Sequence, residues 1–227
     1  MRDRLQRSAL TAQRSVVRWA FARFYREFAW TYDSVAAAVS SGRWAVWGRA
    51  ALPYLAGRVL DLGCGTGNLQ QALAADPAGR LAIGLDASPQ MLAITRDKLV
   101  DNGFSARLVR SIAQALPFPA ASFDSVVATF PTEYIVDQST LAELRRVLRP
   151  GGRLVVVLAA TFAEDGLYHR LVDLLYRATL QRSPRGAAAQ PASSTLGRSL
   201  AACGFAVEER WEPAAGSQVH LIVASIG

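Results

Sequence analysis

An α/β fold with a doubly wound, mostly parallel seven-stranded sheet, an antiparallel last strand and an N-terminal helical appendage is predicted by three features of the sequence. Short β-branched runs alternate with helical segments from residue 58 onward. The first of these runs ends in a cluster of glycines, as strand-to-helix turns of open α/β sheets do. The last two runs are separated by a turn too short for a crossover, so that pair is antiparallel. The 227 residues are about one and a half times a usual domain, which favours one α/β domain plus an appendage.

Element by element, strands are expected over residues 59–62, 81–85, 107–109, 123–129, 153–159, 205–210 and 218–225. Helices are expected over 68–75, 89–102, 138–148, 167–180 and 195–203. Ser88 caps the second of these, and Pro150-Gly151-Gly152 close the third. The stretch 183–194, rich in Ala, Pro, Ser and Gly, reads as a loop.

Apolar residues make up 51% and charged residues 19% of the chain, enough to bury a core and too little charge for disorder. No run of about 18 apolar residues is free of charge, which argues against a spanning helix. Arg14, Arg18, Arg23 and Arg26 interrupt any apolar core of a secretory signal. Cys64 and Cys203 cannot build a disulfide framework or, unaided, a zinc site; a cytoplasmic setting and no metal are expected.

The net charge of +7 is unevenly placed. Residues 1–50 hold nine arginines against Asp3, Glu27 and Asp33, a net of +6, whereas 16 basic and 15 acidic groups leave the remainder at +1. At about 100° per residue, Arg4, Arg7, Arg14 and Arg18 fall on one side of residues 2–20, and Leu5, Ala9, Val16, Trp19 and Ala20 on the other. Four of the five tryptophans also lie before residue 51. The chain therefore divides into a basic, aromatic segment 1–50 and a domain 51–227. Arginines facing headgroups and rings entering the acyl boundary suit contact of residues 2–30 with a membrane surface; a lid over the core is the other reading. Nucleic acid is disfavoured as a partner, because the nearly neutral body offers no extended basic track.

The strongest motif is VLDLGCGTGN, residues 59–68. Its glycines let a ligand approach the backbone. A nicotinamide site would read GxGxxG with a pyrophosphate on the helix end, but here the spacing is GxGxG and Asp61 would repel a diphosphate. A ligand bearing an ammonium and a sulfonium would be attracted instead. Asp86 ends the second strand 19 residues after Gly67, where an acid accepts both ribose hydroxyls of a nucleoside.

Together with ALPFPAASFDSVVATF and LAELRRVLRPGGRLVVV, these motifs resemble those of class I S-adenosylmethionine-dependent methyltransferases, of the ubiquinone/menaquinone-biosynthesis C-methyltransferase type. The resemblance covers residues 32 to about 160. It implies that Gly63, Cys64, Gly65 and Gly67 surround the methionine part of S-adenosylmethionine, that Asp61 holds its amino end and that Asp86 binds the ribose. Ala87 and Met91 would flank the adenine, Tyr32 would close over the methionine moiety, and Thr129 would border the cofactor after the fourth strand. One departure stands out: Ser111-Ile112-Ala113-Gln114 replaces the family's Gly-Asp-Ala-Glu, so the aspartate that receives the adenine amino group is Ile112 here. Gln114, a backbone carbonyl or apolar contact from Ile112 and Ala113 takes over.

Methyl transfer from a sulfonium needs alignment and exclusion of water, and a base only where the acceptor must lose a proton. Candidates for acceptor contact or base are Glu133, then Tyr134, after the fourth strand, with His169 on the helix that follows the fifth. The alternatives for these three are a capping Glu, a packing Tyr and a solvated His; His220, in the final strand, reads as structural. The segment FPTEY lacks the leading amide and second proline of the Asn/Asp-Pro-Pro-Tyr motif of nucleic-acid methyltransferases. The expected acceptor is a small hydrophobic or lipid-linked molecule such as a quinone precursor or phospholipid, reached from the cytoplasm or the membrane periphery. The competing readings are a non-catalytic S-adenosylmethionine-binding regulator or scaffold, a nucleic-acid methyltransferase and a nicotinamide oxidoreductase.

Overall fold

A computed structural model describes residues 43–162 and 194–227. The expected helix over 2–20, the helix over 167–180, Tyr32 and His169 lie outside the described residues. Seven strands form one sheet in the order β3-β2-β1-β4-β5-β7-β6. They are β1 (Arg58–Leu62), β2 (Leu81–Asp86), β3 (Leu108–Arg110), β4 (Phe123–Thr129), β5 (Leu148–Phe162), β6 (Ala206–Ala214) and β7 (Ser217–Ser225). The described helices are α1 (Trp44–Arg49), α2 (Asn68–Ala74), α3 (Pro89–Asp101), α4 (Gln138–Val147) and α5 (Thr195–Ala202), with 3-10 turns at Leu52–Tyr54 and Glu133–Val136.

Strands β1 to β5 pair in parallel, and β7 runs antiparallel to both β5 and β6. Side chains alternate across the pleat, so each central strand feeds two cores. Val126, Ala128, Leu154, Val156 and Ile222 face α4 and α5, where Leu141, Leu144, Leu196 and Leu200 cover them. Val127, Val155, Val157, Val219 and Leu221 face the other way, toward Leu69, Leu73 and Trp47. Burial on both faces explains why these strands read as nearly continuous apolar runs.

Three elements differ from what the sequence leads one to expect. Helix α4 stops at Val147, with Leu148 already extended, so Pro150-Gly151-Gly152 do not close it. Instead β5 begins at Leu148, and its pairing with β4 is irregular until Arg153. The glycines there join the C-terminus, with Gly151 N donating to Ile226 O and Ile226 N to Gly152 O. Second, β5 runs to Phe162 rather than 159, because Ser217 to His220 of β7 continue to pair with it. Third, β6 runs to Ala214 rather than 210, because Ala214 still pairs with Ser217 of β7. Helix α1 packs against the sheet, with Trp47 buried among Val59, Leu69, Val127 and Val157.

Candidate active site

The carboxyl ends of β1 and β2 build the site. After Leu62 the chain turns so sharply that Gly63 N and Cys64 N both donate to Leu85 O, at 2.7 and 2.9 Å. Gly67 then enters α2 at φ +80, in the left-handed region that excludes most side chains, and an added Cβ would lie 2.6 Å from Thr95 Cγ2 of α3. Thr95 Oγ1 donates to Gly65 O at 2.7 Å and anchors the turn to α3. Gly65 is the open point of the loop, since nothing lies within 4 Å of where its Cβ would stand.

Asp86 locks this loop in place. Its Oδ2 accepts from Gly65 N at 2.9 Å and its Oδ1 from Ser88 N at 2.8 Å, while Ser88 caps α3 through Met91 N. Each carboxylate oxygen keeps a further lone pair. Partial burial raises the Asp86 pKa although the backbone bonds oppose it. Asp61 is wholly buried, with Gln70 Nε2 donating to its Oδ2 at 3.2 Å. Its Oδ1 is shielded and has no hydrogen-bond partner among the described residues. Burial, reinforced by the charge of Asp86 and opposed by Gln70, pushes the Asp61 carboxyl up to about 7. Burial also pushes the Cys64 thiol far above its ordinary value, which makes it a packing group and not a nucleophile.

Beside the loop opens a shallow cleft lined by Trp44, Ala45, Gly48, Gly63 to Thr66, Asn68, Leu69, Thr129 and Phe130. Phe130 is held at φ +48, an uncommon conformation for a bulky residue. Its N donates to Val157 O at 2.7 Å, and its ring stands 4.0 Å from that of Trp44.

The structure brings Asp61, Gly63, Cys64, Gly65, Gly67, Asp86 and Thr129 to one sheet edge, with Met91 buried below and Ala87 exposed at the tip of β2. Ile112 and Ala113 follow β3 on that edge; Ile112 is 52% exposed, whereas Ala113 is buried. Tyr134 donates its hydroxyl to Leu62 O at 3.1 Å and stands 2.7 Å from where a Gly63 Cβ would be. Burial raises its phenol well above the ordinary range, with the Asp61 and Asp86 charges adding to the shift. Glu133 is exposed at the start of its 3-10 turn and does not line the cleft. Trp44, Gly48 and Phe130 line the site without any sequence motif that marks them. The aromatic crowding before residue 50 was visible, but a left-handed Phe has no signature in sequence.

These residues fit S-adenosylmethionine. A buried carboxylate oxygen without a partner suits a cation, Asp86 retains lone pairs for hydroxyls, and the loop is open at Gly65. The comparisons agree. A methyltransferase domain family model matches residues 59–152. The demethylmenaquinone methyltransferase of Thermus thermophilus is 35% identical over 206 residues, spanning 81% of this chain and 91% of that protein. The ubiquinone/menaquinone biosynthesis C-methyltransferase of Geobacter sulfurreducens is 37% identical over 160 residues, 67% of this chain and 62% of that one. Among solved structures, an S-adenosylmethionine-dependent methyltransferase of Thermotoga maritima, described as a possible histamine N-methyltransferase, superposes with a TM-score of 0.60. That match is 18% identical, covers 90% of this chain and 99% of the other, and speaks for the fold alone. By its glycine loop, its sheet order and this extent of shared sequence, the chain belongs to the S-adenosylmethionine-dependent methyltransferases of the ubiquinone/menaquinone-biosynthesis C-methyltransferase type.

Proposed function

We propose that the enzyme methylates a ring carbon of a reduced, lipid-linked quinone precursor. The observation that carries this reading is the 35% identity to a demethylmenaquinone methyltransferase over nine tenths of that protein's length. The aromatic wall of Trp44 and Phe130 in the cleft supports a flat, apolar acceptor.

S-adenosylmethionine, when bound, supplies a methyl group already activated on a sulfonium. Asp86 holds the ribose hydroxyls through its spare lone pairs, and Ala87, Met91, Ile112 and Ala113 give the adenine an apolar seat. The exposed Ile112 side chain replaces a hydrogen bond with contact area. Gly63, Cys64, Gly65, Gly67 and Thr129 form the wall of the methionine site, Tyr32 closes over it, and Asp61 draws the ammonium. Tyr134 is a lid on the glycine turn rather than a base, because its hydroxyl is already donated and resists ionisation. His169 serves on the acceptor side, whereas Glu133, exposed outside the cleft, opens its 3-10 turn. Residues 2–30 act as the membrane-facing segment through which a lipid-like acceptor arrives, and residues 51–227, joined by α1, as the catalytic domain.

The test is direct. Purified protein with methyl-deuterated S-adenosylmethionine and dithionite-reduced demethylmenaquinone in detergent is expected to yield a product heavier by one labelled methyl, retained after hydrolysis of ethers and esters. A label found on oxygen, or only on an added phospholipid, would overturn ring-carbon transfer.

A further inference from the structure

The amino-acid tail of S-adenosylmethionine carries a carboxylate beside its ammonium, so its seat must offer donors as well as acids. Asp61 and Asp86, at the tips of β1 and β2, are the acids. Among the described residues, no charged side chain lines the cleft next to the glycine loop. The side-chain donors that follow Gly65 there are the hydroxyl of Thr66 and the amide of Asn68, the first residue of α2. Thr66 is buried and Asn68 is half-buried.

What an amide presents depends on which of its two ends is turned to the ligand, and here a neighbour decides it. Lys98, the only lysine in the chain, reaches across from α3 and donates from Nζ to Asn68 Oδ1 at 2.7 Å. An ammonium can only donate, so the atom against it is the amide oxygen and Nδ2 is turned away. Nδ2 donates to Thr66 Oγ1 across 3.4 Å, a long bond for which a charged acceptor can compete. A hydroxyl that accepts in this way still has its own proton to give. With the amide reversed, its oxygen would face Thr66 and repel an anion. Lys98 also sits one turn after Thr95 on the same face of α3. Thr95 anchors the loop through Gly65 O, and Lys98 adds a charge beside that anchor.

We propose that Lys98 is a positioning residue for the carboxylate of the cofactor's tail, an inference that rests on the placement of the methionine part at the glycine loop given above. Lys98 turns the Asn68 amide so that Nδ2, together with the Thr66 hydroxyl, donates to the carboxylate. Its own positive charge stands behind the amide, and the ammonium is left to Asp61. A lysine that merely tethered α3 to α2 would hold the loop for every ligand alike. One directed at the carboxylate acts only on ligands that carry it.

Calorimetry of the full chain with S-adenosylhomocysteine and with its decarboxylated analogue, which keeps the nucleoside, the sulfur and the amine, separates the two roles. The wild type is expected to bind S-adenosylhomocysteine at least about tenfold more tightly than the analogue. Lys98→Met is expected to weaken S-adenosylhomocysteine about tenfold and the analogue less than about twofold, with Lys98→Arg recovering part of the loss. Where Lys98→Met does not fold, Lys98→Ala carries the same comparison. Asn68→Ala should show the same selective loss, and the double variant should lose no more than about twofold beyond it, because one residue acts through the other. A wild type that binds both ligands equally overturns the proposal, as does an equal loss for both ligands on replacing Lys98. Fully additive losses in the double variant overturn the route through Asn68. Asp86→Ala is expected to weaken both ligands alike; if it weakens neither, the placement of the cofactor itself is overturned.

Discussion

The Asp61 carboxyl titrates at about 7 in the fold against 3.8 for the free side chain. Between those values the folded state keeps a proton that the unfolded state has lost. Stability present in acid therefore declines as pH rises through 7, by roughly 4 kcal/mol in all. A cation brought against the carboxylate favours its charged form, so cofactor binding should expel a proton below pH 7. Calorimetry in buffers of different ionisation enthalpy should show that release, with affinity rising up to about tenfold per unit from about pH 5.5 to 7. Asp61→Asn should abolish both the proton release and much of the affinity, while melting higher than the parent at pH 8. A variant that melts alike at pH 8 and binds as tightly would remove Asp61 from the site. The sequence had suggested a standing negative charge there; burial makes the charge conditional on its partner.

Loop and helix geometry at the cofactor turn depends on the close approach of α2 and α3. Gly67→Ala adds a methyl 2.6 Å from Thr95 Cγ2 and forces φ +80 on a residue with a side chain. Thr95 also holds Gly65 O through its hydroxyl, so pushing Thr95 aside moves the binding loop itself. The expected loss of stability is about 2–4 kcal/mol, from strain and overpacking together. In urea titrations, Thr95→Ser on that background should recover part of the loss, because it removes Cγ2 and keeps the hydroxyl. Full recovery would mean the backbone angle carries no strain, and no recovery would mean the contact does not matter. Elements with strong periodicity or a cap were legible from sequence: α3 behind Ser88, β1, β2 and β4. The start of β5 was not, because Pro150-Gly151-Gly152 is stop-signal chemistry that Ile226, just past β7, recruits into the sheet.

At the scale of the molecule, charge separates from catalysis. The basic residues concentrate before residue 51, while the cofactor loop lies on a nearly neutral body. Among the described residues no helix is long and apolar enough to cross a membrane. If residues 2–20 are the membrane contact, deleting them should abolish co-sedimentation with anionic phospholipid vesicles at physiological salt, while affinity for S-adenosylhomocysteine changes less than about twofold. Continued vesicle binding would contradict the assignment; loss of cofactor affinity would instead make this segment part of the binding site. Trp44 and Trp47 show that its far end already joins the body, one lining the cleft and the other buried.

Local chemistry alone determined the cofactor half of this protein, because a glycine turn with an acid at each of two strand tips is a contiguous pattern whose spacing encodes its ligand. Only the tertiary structure decided the rest. The Phe130 backbone, the seat of Trp44 on it, the protonation of Asp61 and the meeting of Asn68 with Lys98 all arise from segments distant in sequence. Burial and strand register set those relations, and neither is written in any one stretch of chain.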